Sequence, residues 1–490
     1  MGRLLSRVGL GIISHLVPPG LVDQVLAETE RDHHRLRALP SRLGIYFVLA
    51  LCLLPSASYA ATLRAMIGTS ALTRLATTDW QPATTTALSK LRDRIGALPL
   101  ERLFAQMTRL RPTRTRPWSH AFGLLVCAWD GTEVVVADTD RLIRRFPRHR
   151  GRHGKACGAP KARVLVLIAC GTRLVIDAVI GGLGPGEGEV SLAHRLAGSL
   201  RQGMLLLADR AFLGYPLWTA ARTRGAHLLW RAKNNAPRLP VDTVLPDGSF
   251  LSRLIDPVDA RRWRNRVRAN RTRHHRPPRP RPLDGVTVRV VEARITVTVG
   301  ATTRTERYRL VTSLLDPHHA PAEQLVALYA RRWAAETGIG EIKTVLLAGR
   351  PIRGATPIRA RQELWAALIV YQALRVLISQ AALTQNLDPS LISFTAARDT
   401  AGRMIATTPA QTAAHLDIVH QDLCRQVIPR HTSHRVFPRA LKKTLSRYAY
   451  RSKVWQLTSG HASYQTQIVQ PDHTRSTPRP QLSPAQPRAA

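Results

Sequence analysis

At Phe122 the hydrophobic period of this chain changes, and that change constrains its fold more than any other feature. Before it, residues 1 to about 115 carry helical patterns. Residues 21–39 are amphipathic, 43–54 are almost wholly apolar, 58–72 are mixed, and 84–98 gather cations on one side. After it, apolar runs shorten to strand length. Residues 124–129 lead into the turn-type residues Asp130, Gly131 and Thr132, followed by 133–137. Residues 163–170 and 174–180 read as a hairpin around Gly171 and Thr172, and 190–200 as a helix. The buried-type strand 204–207 then ends at Ala208 and Asp209. Early strands with turn signals, then strand–helix–strand, predict an α/β fold with a mixed sheet.

The chain carries 72 Lys and Arg against 32 Asp and Glu, a formal charge of +40. A surplus of that size concentrates anions and favours nucleic acid as the partner. Most of the base is Arg, which suits bidentate phosphate contacts. Compositional bias toward Ala, Arg and Pro accounts for part of the excess but not for the scarcity of acids. Five scattered cysteines give neither a disulfide framework nor a zinc finger, which fits a reducing cytosol. The apolar run 43–54, with Pro55 and small residues after it, imitates a signal peptide. Forty-two residues precede it and it is too short to span a bilayer, so a buried core helix is expected. No membrane association and a cytoplasmic, nucleoid-associated location follow as expectations.

Residues 1–115 are therefore expected to form a helical N-terminal DNA-binding domain. The helices on either side of Pro55 make either a helix-turn-helix or part of a plain bundle. A basic link at 109–117 leads to the first part of a catalytic core at 116–235. Residues 236–306 read as a β-rich basic insertion, with a mobile cationic loop at 261–281 and strands at 286–291 and 295–299. The core resumes at 307–385, with a strand at 308–314 and a strongly apolar helix at 364–378. Residues 386–470 are expected to be helical and basic, and 471–490 a disordered tail.

One helix carries an unusual set of side chains. Tyr329, Arg332, Glu336 and Lys343 lie at offsets 0, 3, 7 and 14, within roughly a 60° arc of a regular helix. A carboxylate among cations can hold a metal ion while its neighbours hold phosphate. Asp130 and Asp209 each read as closing an apolar strand and opening a turn. Strand ends of an α/β sheet are where ligands bind. Three hard oxygen donors suit a pair of Mg²⁺ ions serving phosphodiester chemistry. Asp138 and Asp140 are alternatives for the first acid, and Glu341 for the third, although Glu341 is turned about 120° from the motif face. Arg210 reads either as a phosphate contact or as an ion-pair partner. Trp263 reads as structural or as a base-stacking residue.

These motifs resemble those of insertion-sequence-4-type DDE transposases. Asp130-Gly-Thr with Asp138, Asp140 and Phe146 is similar to the family's first catalytic motif, and Ala208-Asp209-Arg210-Ala-Phe212 to its second. Tyr329, Arg332, Glu336 and Lys343 match the family's Tyr-x2-Arg-x3-Glu-x6-Lys signature at every spacing. The likeness covers roughly residues 10 to 450. It implies an RNase H-like core interrupted by a β insertion between the second and third acids, with two Mg²⁺ or Mn²⁺ ions on Asp130, Asp209 and Glu336. It also implies cleavage of transposon ends followed by attack of the 3′-OH on target DNA. By the same resemblance, Tyr329, Arg332 and Lys343 grip terminal phosphates of double-stranded DNA, and a homodimer assembles the inverted repeats in a synaptic complex. A metal-dependent nuclease of the same fold and a non-catalytic, domesticated DNA-binding regulator are the rival readings.

Overall fold

The computed structural model describes residues 10–32, 39–68, 83–109, 117–151, 154–234, 239–274, 278–279, 281–299, 302–428, 435–436 and 460–470. Among the described residues six helices come first: α1 (Ile12–Leu16), α2 (Pro19–Glu28), α3 (Ser41–Leu53), α4 (Tyr59–Ile67), α5 (Thr85–Ile95) and α6 (Leu98–Arg109). Then come β1 (Leu124–Val135), α7 (Asp140–Arg145), β2 (Lys161–Ala169), β3 (Val175–Gly181), α8 (Glu189–Leu196), β4 (Met204–Ala208), α9 (Tyr215–Thr223) and β5 (His227–Arg231). β6 (Phe250–Ile255), α10 (Pro257–His274), β7 (Gly285–Val299) and β8 (Thr302–Thr312) follow. The last elements are α11 (Ala322–Tyr329), α12 (Trp333–Gly340), α13 (Pro357–Thr384), α14 (Phe394–Arg403), α15 (Pro409–Arg425) and β9 (Gly460–Ile468). Most of the basic link 109–117, and the tail 471–490, lie outside the described residues.

The chain divides into two compact units. The first contains Met1–His120, Val126–Ser199 and Arg332–Ile428. Its centre is α13, buried over most of its length and packed against α3, α6, α14 and α15. By length and composition α13 passes for a membrane span, but 83% of its most apolar window is buried, as in a core helix. The Thr356 side chain caps it by accepting from the Arg359 amide, and Pro357 opens it at a position that needs no N–H. Three of its buried polar side chains, Gln362, Glu363 and Gln372, are tied to neighbours. Arg92 of α5 pairs with Glu363 at 2.8 Å and donates to Gln362 at 3.0 Å, and Gln372 accepts from the Val175 amide at 2.8 Å. The apolar α3 is buried from Leu43 to Leu53, so the segment that imitates a signal peptide is a core helix.

In the same unit β1, β2 and β3 form an antiparallel meander. The expected hairpin of 163–170 and 174–180 is present as β2 and β3. One expectation fails. Asp130, Gly131 and Thr132 do not open a turn, because β1 runs through them and pairs them with Val166, Leu165 and Val164. Cross-strand pairing overrides the local turn preference of Asp and Gly. Gly131 serves close approach instead, since a Cβ there would lie 2.2 Å from Glu189 Oε1.

The second unit contains Ala121–Leu125, Leu200–Arg331 and Pro429–Ala490. β4 and β5 are parallel, with α9 between them as a crossover. β5 pairs antiparallel with β8, β8 with β7, and β7 with both β6 and β9. An antiparallel meander, a helix and a parallel strand–helix–strand pair, in that order, make an α/β chain with an RNase H-like core. The insertion between β5 and α11 is β-rich, with three corrections. The strands expected at 286–291 and 295–299 are one strand, β7. The expected cationic loop is largely the helix α10: no Pro or Gly falls between Val258 and His274, and Asp256 accepts from the Val258 amide at 2.8 Å to start the helix. The region 386–470, expected to be helical, ends in the strand β9, which pairs with the second half of β7.

Arg289 of β7 is the polar hub of this unit. It is fully buried, donates to Ser249 Oγ at 2.7 Å and to the Ala320 carbonyl at 2.7 Å, and pairs with Asp247. Asp247 also accepts from the Ala322 amide at 2.8 Å, at the first residue of α11. Replacing Arg289 with Leu would leave Asp247 without its cation, so Arg289→Leu is expected to cost about 3 kcal/mol. Urea denaturation measures this, and an unchanged midpoint would show the hub to be dispensable.

Candidate active site

In the first unit the structure brings Asp130, Arg332 and Glu336 together. Asp130 is half-buried midway along β1, and its Oδ1 accepts from the Gly131 amide at 2.9 Å. Burial pushes its carboxyl up to about 6; the Gly131 amide and Arg332 act against the shift, and the Glu336 and Glu189 carboxylates add to it. Glu336 lies in the first turn of α12 with its side chain 33% exposed, and accepts from Arg332 Nη2 at 2.5 Å. Arg332 is itself buried, with its guanidinium 5.4 Å from the exposed Trp333 ring. Close packing places α12: a Cβ on Gly338 would lie 2.6 Å from Tyr371 Oη of α13 and 3.0 Å from Ile168 of β2.

The motif does not lie on one regular helix. Between α11 and α12 the chain tightens to a 3-10 turn at Ala330–Arg332, and after α12 it widens to a π-helix at Glu341–Leu346. That π segment holds Glu341, the alternative third acid, which pairs with Arg173 at 3.0 Å and with the buried Arg375. Lys343, also on it, is half-buried and has no ion-pair partner among the described residues. Asp138, an alternative first acid, is occupied by Arg148 at 2.6 Å. Asp140 sits in the first turn of α7.

In the second unit Asp209 directly follows β4, as the sequence predicts. It is half-buried, with Oδ1 accepting from the Arg210 amide at 2.6 Å and its carbonyl from Phe212 at 3.1 Å. Arg210 is exposed and has no ion-pair partner among the described residues. Tyr329 is 6% exposed and donates its hydroxyl to the Ala208 carbonyl at 3.2 Å, one residue before Asp209. Its ring stands edge-on to Tyr308, and Arg231 lies 3.8 Å over the Tyr308 ring.

Sequence reasoning missed Glu189. It opens α8 directly after Gly188, and its carboxylate sits against Gly131 beside Asp130. An acid in the first turn after Gly188 is a helix-start signal, but nothing local announces which strand it approaches. Asp130 and Glu336 supply the donor chemistry that a hard divalent cation requires, and such an ion would relieve the repulsion between them. Arg332 would then share or release Glu336. Among the described residues no three His, Cys, Asp or Glu side chains form a ready-made cage.

Carboxylates on an RNase H-like core, beside basic side chains, are the equipment of enzymes that break and join phosphodiesters. The insertion element 4 transposase N-terminal family matches residues 7–105, and the transposase DDE domain family matches residues 121–373. The transposase InsG for insertion sequence element IS4, from Escherichia coli (strain K12), is 25% identical over 369 residues, 74% of this chain and 77% of that protein. The putative transposase InsZ of the same organism is 24% identical over 144 residues, 29% of this chain and 48% of its own. A cryo-EM structure of the piggyBac transposase synaptic complex with hairpin DNA aligns over 86% of this chain and 85% of that one, at 9% identity and a TM-score of 0.43. The chain belongs to the transposase DDE-domain family, in its insertion-sequence-4 branch. Its activity is DNA strand cleavage and strand transfer, and the family uses divalent metal ions.

The raised carboxyl of Asp130 sets a pH dependence. An unfolded Asp loses its proton near 3.9, whereas here the folded chain keeps it to about 6. Between those values the folded state binds the extra proton, so stability falls as pH rises through the window and the penalty is complete above it. Asp130→Asn is expected to stabilise the metal-free protein by roughly 1 kcal/mol at pH 8, discounted for partial exposure, and by little at pH 4. Thermal unfolding in chelator at both pH values tests this. An equal gain at both would point to packing, not charge.

Proposed function

We propose that Asp130, Asp209 and Glu336 are the catalytic acids of this transposase and hold two Mg²⁺ ions, with Mn²⁺ able to substitute. The observation that carries the reading is the approach of Glu336 to Asp130, close enough to raise its carboxyl. Two such ions, when bound, activate water and stabilise the attacking and leaving oxygens of an in-line displacement. Arg332 fixes the direction of the Glu336 carboxylate through their ion pair. Tyr329, buried and bonded to the Ala208 carbonyl, holds the end of β4 and thereby orients Asp209, a positioning role in place of the phosphate contact expected from the motif. Lys343 and Arg210, without ion-pair partners among the described residues, are the phosphate contacts.

The substrate in this reading is double-stranded DNA carrying the element's terminal inverted repeats. A target duplex receives the liberated 3′-OH, and a homodimer pairs the two ends. The helical region 1–115 contributes to end binding, and the protein works in the cytoplasm at the nucleoid. The acids are intact and Asp130 and Glu336 lie together, which favours catalysis over a purely regulatory role.

Glu336→Gln keeps the shape and hydrogen bonding of the side chain but removes its charge. In a Mg²⁺-dependent assay on duplex DNA bearing the element's ends, this substitution, Asp130→Ala and Asp209→Ala are each expected to reduce cleavage by at least about 1000-fold. DNA binding should be largely retained. Substantial cutting by any of the three would sink the acid assignment, and cutting without joined products on a supercoiled plasmid would make the protein a nuclease.

A further inference from the structure

The insertion carries a helix whose charge the catalytic site does not explain. α10 holds seven arginines in eighteen residues and one acid, Asp259. Asp259 is buried and engaged by Arg281 and by the Asp284 amide at 2.9 Å. Elsewhere arginines are commonly neutralised, as in the pairs Arg309–Glu292 and Arg231–Glu306. On α10, the exposed Arg261, Arg262, Arg264, Arg266, Arg268 and Arg271 have no ion-pair partner among the described residues. Several lie three or four apart and so repel one another along the helix. A polyanion relieves that repulsion.

Their spacing forms two rails. At about 100° per residue, Arg261, Arg264, Arg268 and Arg271 fall within roughly 80° of one another, and Arg262 and Arg266 form a second line whose centre is roughly 160° away. Between the rails on one side lie Ala260, Trp263, Val267 and Asn270, all half-buried, with Arg281 5.5 Å over the Trp263 ring. Asp259 lies on the same side and holds Arg281 and the Asp284 amide, so this side faces residues 281–284. Between the rails on the outward side lie the exposed and short Asn265, Ala269 and Thr272. A helix about 10–12 Å across, with small residues on its outward face and arginines along both flanks, matches a B-form major groove about 12 Å wide.

We propose that α10 docks in the major groove of duplex DNA, each arginine rail reaching one phosphate strand. The inference rests on DNA being the substrate and assigns a recognition surface far along the chain from the catalytic acids. Trp263, read from sequence as structural or base-stacking, is here the anchor of the helix.

The test uses the full chain and two variants, Arg261→Gln/Arg264→Gln/Arg268→Gln/Arg271→Gln and Arg262→Gln/Arg266→Gln. Gln keeps helix propensity and removes the repulsion, so circular dichroism and the melting temperature should hold. Binding is read by anisotropy on 30-base-pair duplexes, one with the element's end and one shuffled, across a KCl titration. The first variant is expected to lower the slope of log affinity against log salt by about 3–4 and the second by about 2, with affinity at least roughly tenfold weaker. Dimethyl sulfate protection of guanine N7 in the major groove should disappear with it. An unchanged salt slope would overturn the proposal. So would a lower slope with N7 protection intact, or equal affinity for duplex RNA of the same sequence, whose major groove side chains cannot read. Cleavage by Glu336→Gln would overturn the catalytic reading alone, because neither rail contains an acid.

Discussion

The enclosure of α13 governs the first unit. A helix that is apolar all round must be covered on every side, and this one is covered by α3, α6, α14 and α15. Three polar groups on it act as ties: Glu363 and Gln362 hold α5 through Arg92, and Gln372 holds the first amide of β3. The same packing sets the chemistry. Tyr371 leaves room only for glycine at 338, which brings α12 down onto β2 and Glu336 toward Asp130. Core packing and site geometry are therefore one constraint.

The signature helix divides its work among side chains that the sequence presents as equivalent. Tyr329 and Arg332 are buried, one bracing a strand end and the other gripping an acid. Glu336 is partly open, and Lys343 rides on a widened π turn held by Glu341 between Arg173 and Arg375. π-turns are frequent at functional sites. Here one lets an acid outside the motif point into a buried ionic cluster while the lysine two residues later faces another way.

Much of this was legible because it is local. Asp209 follows a short buried strand, the hairpin of β2 and β3 has its turn at Gly171, and α13 reads directly from its apolar residues. Asp130 was singled out as a candidate but misplaced in the fold. Asp-Gly-Thr spells a turn, and only pairing with Val166, Leu165 and Val164 keeps the strand running. Glu189 was missed for the same reason, since its neighbours are distant in sequence. α10 was misread because a composition of arginines and few apolar residues suggests a loop, although arginine is a good helix former and no breaker interrupts it. β9 could not be read at all, because its partner lies roughly 170 residues earlier.

That last pairing has a consequence for how the molecule is made. Until residues 460–468 leave the ribosome, the second half of β7 has a neighbour on one side only, β8. The nascent insertion therefore spends the synthesis of the intervening chain with an open row of amides and carbonyls, the kind of edge that recruits other strands. Threonine and arginine at 294, 296 and 298 keep that exposed stretch from being a continuous apolar ribbon. Closing the edge so late gives the insertion a high contact order, and its completion waits for a strand made well over a hundred residues after β7.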